Sequence, residues 1–95
     1  MVLGMDEDFE AQLGGAIARV DEALGKHING EAAPFSQGLL EQVRRDLVRT
    51  REQWPNYPPA YARFLLDWPD KDTALGKQLM QTAYAVERAR QRATG

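Results

Sequence analysis

An all-α fold, a small antiparallel helical bundle of three long helices plus one short helix, is predicted by three features of the 95-residue chain. Apolar residues recur at steps of three and four along three long stretches, the period of a helix with one buried face. The prolines avoid those stretches: four of the five fall between residues 54 and 72, together with five of the eight aromatic residues. The remaining connections are short, as they are between antiparallel neighbours. Residues 1–95 are therefore expected to form a single helical domain with a core of modest size.

The first helix is expected over about 6–28, where Phe9, Leu13, Ile17, Val20, Leu24 and Ile28 form one stripe. Asp6, Glu7, Asp8 and Glu10 place negative charge at the positive end of its dipole. Gly14 and Gly15 each cost roughly 1 kcal/mol against alanine inside a helix, so the pair is either a close-packing site, the preferred reading, or a soft point. Asn29-Gly30 supplies the stop, since both residues tolerate the left-handed conformation.

The second helix is expected over about 36–53, capped by Ser36, with an extension back to Pro34 also compatible with the pattern. Its stripe is Leu39, Leu40, Val43, Leu47 and Val48, reaching Trp54, and its opposite face carries Arg44, Arg45, Arg49, Arg51 and Glu52. Glu41 and Arg45 have the favourable i,i+4 order, worth a few tenths of a kcal/mol. Trp54-Pro55 ends the helix, because proline disfavours the helical region for the residue before it.

Pro58-Pro59 pre-sets the first turn of a short third helix, about 59–67, with Tyr61, Phe64, Leu65 and Trp68 on one face and Trp68-Pro69 as its end. Asp70 or Asp72 is then placed to cap the fourth helix, about 73–92. There Leu75, Leu79, Ala83, Val86 and Arg90 keep helical spacing, with Met80 and Tyr84 flanking. Arg88, Arg90 and Arg92 complement its C-terminal dipole.

Composition narrows the functional classes. Hydrophobic residues at 43% and charged residues at 27% are ordinary globular usage, so disorder is not indicated. No apolar run approaches the roughly 20 residues of a bilayer span, and MVLGMDEDFE is acidic where a signal peptide is basic and then apolar. Without cysteine there is neither a disulfide framework nor a thiol nucleophile. A cytoplasmic protein without a membrane partner is expected. A net charge of −2 and a pI of about 5.3 argue against nucleic acid as a partner. Residues 1–33 hold seven acids against Arg19 and Lys26, whereas residues 34–66 hold five arginines against three acids. The first two helices either attract each other or simply present two solvated faces.

No catalytic, cofactor or metal site is legible. His27 is the only histidine and Ser36 the only serine, too few for a triad or a zinc site, and His27 reads as a helix-end surface residue. Asp70-Lys71-Asp72 opens like a calcium loop, but the fifth position is Ala74, the glycine is displaced to Gly76 and the twelfth residue is Gln81. A helix cap is the better reading.

The 54–72 corner is the most informative stretch. The three long helices each have a single apolar stripe for the core to consume, which leaves aromatic groups at the corner beyond an obvious packing need. Aromatic residues beside acids on a proline-stiffened turn are the composition of interface anchors. The candidate partner-binding residues are Trp54, Tyr57, Tyr61, Asp67, Trp68, Asp70 and Asp72. Core packing is the competing role for Trp54, Phe64 and Trp68, and for Tyr57 the two roles are evenly matched.

The stretch from Asp72 to Arg88 joins an acid to a Leu-x-x-x-Leu turn and an Ala-Tyr-x-Val ending: Leu75, Leu79, Ala83, Tyr84 and Val86. It follows a leucine-rich helix with arginines, Leu40 to Arg51. In these features, over about residues 10–90, the chain resembles the small all-helical immunity proteins that neutralise type VI secretion effectors with NAD(P)+ glycohydrolase toxin domains. The Trp-Pro-Asn-Tyr-Pro-Pro corner departs from that pattern. The resemblance implies a non-enzymatic immunity protein of bacterial competition, whose partner is a cognate toxin domain and whose action is to occlude the toxin's active site. The alternative is a helical adaptor or regulatory protein that acts as a homodimer and buries the corner against its copy.

Overall fold

The computed structural model describes residues 7–54, 56–57, 60–65, 67–68 and 72–94, and the side chains of Phe64, Ala93 and Thr94 lie outside that description. Among the described residues all regular structure is helical: α1 (Glu7–Ile28), α2 (Gln37–Glu52), α3 (Ala62–Leu65) and α4 (Ala74–Thr94).

In α1, Glu7, Asp8 and Glu10 occupy the first turn and Lys26 and His27 the last, both favourable to the dipole. Its buried face is Phe9, Leu13, Ala16, Ile17, Val20 and Ala23. Two expectations fail here. Ile28 is 74% exposed, because the buried face leaves through Ala16, Val20, Ala23 and the half-buried His27. Gly14 and Gly15 are not close-packing sites, since a Cβ on either would meet nothing within 4 Å. The helix ends in a Schellman motif: Gly30 has φ 77°, Glu31 N–H donates to Lys26 O at 2.8 Å and Gly30 N–H to His27 O at 3.1 Å.

The connection to α2 is held by His27, whose Nε2 lies 2.8 Å from the Phe35 carbonyl oxygen. Phe35 is buried at a φ of 68°, rare for a bulky residue. That backbone cannot extend α2 back to Pro34. Ser36 is the N-cap, its hydroxyl accepting from Leu39 N–H at 3.2 Å. Glu41 takes Gln37 as its partner at 3.3 Å in place of Arg45.

α2 returns along α1. Asp21 pairs with Arg44 at 2.6 Å, and Phe9 near the start of α1 meets Trp54 beyond the end of α2, ring centroids 4.8 Å apart. The ion pair does link the acidic and basic helices, but both side chains are half exposed, so it contributes under about 1 kcal/mol.

α4 also runs against α1. A groove of about 300 Å³ is lined by Asp8, Phe9, Gln12 and by Ala85, Arg88, Arg92, so its C-terminal half faces the start of α1. Ala74 and Leu75 share a cavity of about 210 Å³ with Ala23 and Lys26 at the other end. The N-cap is Thr73 rather than Asp72: its hydroxyl accepts from Gly76 N–H at 3.1 Å and its carbonyl from Lys77 N–H at 2.9 Å. Asp70 lies outside the described residues. α3, expected over about 59–67, is a single turn whose principal contact is α4.

The core gathers Leu13, Val20, Leu40, Val43, Leu47, Leu65, Leu79 and Val86, none with exposed surface. α1 is its central element, since the principal helix contacts are α1 with α2, α1 with α4 and α3 with α4.

Candidate functional site

The corner between α2 and α4 is organised by a carboxylate that the sequence pattern did not single out. Asp46 follows Leu39 and Val43 and precedes Thr50 on the buried register of α2, and is only 7% exposed. Tyr57 reaches back from the turn after α2 and donates its hydroxyl to Asp46 Oδ1 at 3.0 Å. Asp46 Oδ2 is buried and has no partner. Thr50 donates its hydroxyl to the Asp46 carbonyl at 2.9 Å, the back-bond that satisfies a hydroxyl inside a helix.

Two aromatic residues of the corner are core residues. Trp54 is 8% exposed and packs on Phe9, with Nε1 buried and unpaired. Tyr61 has no exposed surface and donates its hydroxyl to the Leu79 carbonyl at 2.8 Å, tying the corner to α4. Burial, and then the negative charge of Asp46, push the Tyr61 hydroxyl's pKa well above the tyrosine range. The expected excess of aromatic groups is therefore absent at these two positions. The stripes of α1, α2 and α4 leave the bundle end open, and Trp54 and Tyr61 close it. Tyr61 leaves the set of surface anchors.

The other candidates divide. Tyr57 is half-buried and its hydroxyl is engaged by Asp46; Trp68 is half-buried and packs on the core. Asp67 and Asp72 are exposed. Of the candidates, Tyr57, Asp67, Trp68 and Asp72 thus keep accessible surface, whereas Trp54 and Tyr61 are buried and Asp70 lies outside the described residues.

Asp46 was legible in principle, because Leu39, Val43, Asp46 and Thr50 run at i, i+4, i+7 and i+11; an acid on an arginine-rich helix reads first as surface charge. His27 is a loop brace, donating to Phe35, rather than a free surface residue. Tyr84 on α4 is 59% exposed. Among the described residues no helix is long and apolar enough to cross a membrane, and no group of three or more His, Cys, Asp or Glu is placed to hold a metal ion. No protein-family model, curated protein or solved structure matches the chain.

Proposed function

We propose that the chain is a cytoplasmic immunity protein that binds a cognate secreted bacterial toxin domain and occludes its active site, with no catalysis of its own. On this reading it is an antiparallel bundle of three long helices and one short, with the short helix at the toxin-facing corner. The observation that carries the proposal is the corner itself, tied to α4 through the buried Tyr61 and with Asp67 and Asp72 exposed on it. A surface tied to the core in this way loses little conformational entropy on binding. Exposed carboxylates suit a toxin whose active site binds a phosphate-bearing substrate through basic groups. The resemblance of residues 72–88 to immunity proteins of NAD(P)+ glycohydrolase effectors supports the same class.

Co-expression with the product of the adjoining reading frame tests the proposal. The frame alone arrests growth, the pair grows, and the two products co-purify. A harmless neighbour that does not co-purify removes the proposal. The second reading, a homodimeric adaptor, draws support from the exposed Tyr84. Light scattering separates the two: a stable dimer made monomeric by Tyr84→Ala favours the adaptor.

A further inference from the structure

Asp46 is the one buried carboxylate among the described residues, and its hydrogen bonding is half complete. Oδ1 accepts from the Tyr57 hydroxyl at 3.0 Å, whereas Oδ2, which is buried, accepts from nothing. An ionised carboxylate is an acceptor on both oxygens, and a buried oxygen without a donor carries an uncompensated desolvation penalty. Cations are close in sequence, yet the fold directs them elsewhere: Arg44 reaches across to Asp21, and Arg45, Arg49, Arg51 and Arg63 are exposed. Among the described residues the only other buried side-chain polar atom without a partner is Trp54 Nε1, just beyond the end of the same helix.

We infer that Asp46 is the receptor for a guanidinium group of the bound partner, which displaces the Tyr57 hydroxyl and supplies donors to both carboxylate oxygens. A guanidinium presents two parallel N–H groups that match the two oxygens of a carboxylate, and the neutral tyrosine hydroxyl it replaces satisfies only one. The exchange is mechanically simple. Tyr57 is half-buried and approaches Asp46 from the connecting turn rather than from a helix, so it withdraws without breaking α2. The freed ring then becomes available to the partner as an anchor. This deepens the proposed function and rests on the corner being the toxin-binding surface.

The test begins with the full chain alone, titrated with methylguanidinium and, at matched ionic strength, with tetramethylammonium. Side-chain NMR signals of Tyr57 and Trp54 report the response. Methylguanidinium gives a saturable shift and tetramethylammonium none. Asp46→Asn abolishes the shift, and Tyr57→Phe tightens binding by roughly tenfold, the worth of a competing hydrogen bond to a charged acceptor. Circular dichroism establishes that each variant is folded. A wild type that does not saturate, or a Tyr57→Phe variant of unchanged affinity, overturns the inference whatever Asp46→Asn does. Titration with the toxin domain separates this from the reading beneath it. Toxin binding beside a silent probe removes the Asp46 receptor alone, whereas a responding probe beside a toxin domain that never binds removes the immunity function.

Discussion

Tyr61 shows how one buried hydroxyl sets a pH limit on the fold. Its phenol is held neutral in the core by burial and by the nearby charge of Asp46, while in the unfolded chain it titrates at the ordinary value of 10.0. The folded-state pKa lies above the unfolded one, so the native chain keeps a proton that the unfolded chain gives up. Its contribution is complete below pH 10 and is lost as pH rises above it, with a slope of up to about 1.4 kcal/mol per pH unit. Tyr61→Phe removes that slope, and at neutral pH it costs about 1 kcal/mol for the bond to Leu79. Urea unfolding of both proteins between neutral and strongly alkaline pH checks this. Equal alkaline slopes would mean that Tyr61 does not control the limit.

At the scale of the element, α1 carries three glycines, Gly14, Gly15 and Gly25, that its packing does not use. A methyl group at Gly15 faces open solvent and meets no atom within 4 Å. Gly15→Ala is therefore expected to raise stability by about 1 kcal/mol, the helix-propensity difference alone. A loss of stability on chemical denaturation would show that Gly15 packs against something after all. This case also marks what a sequence discloses. Periodicity located the helices α1, α2 and α4, and Gly30 and Ser36 marked the end of α1 and the start of α2, because those signals are local. Whether Gly14 and Gly15 meet a neighbour, whether Thr73 or Asp72 takes the cap, and whether Trp54 faces solvent or Phe9 depend on how helices lie against one another. For the candidate site, the prolines and aromatic residues drew attention to the corner, but the burial of Tyr61 and the bond of Tyr57 to Asp46 depend on how the corner folds back on α4 and α2.

The whole molecule rests on one core with α1 at its centre. Leu13 in α1 and Leu40 in α2 are both without exposed surface. Truncating either to alanine is expected to cost about 2–5 kcal/mol, a large part of the stability of a domain this small. Both variants should still unfold in a single transition seen identically by helix signal and tryptophan fluorescence. Two separated transitions in either would divide the chain into independent units. Within the corner, Asp67 and Asp72 stand apart from that core, since both are exposed.

That separation makes the corner the place to test the account. Calorimetric titration of the toxin domain into wild type, Tyr57→Ala and an Asp67, Asp70, Asp72→Ala variant, each verified as folded, measures the central claim directly. Both variants are expected to bind at least roughly thirtyfold more weakly, as interface hot spots do. Wild-type affinity in both would contradict the account and move the binding surface to another face of the molecule.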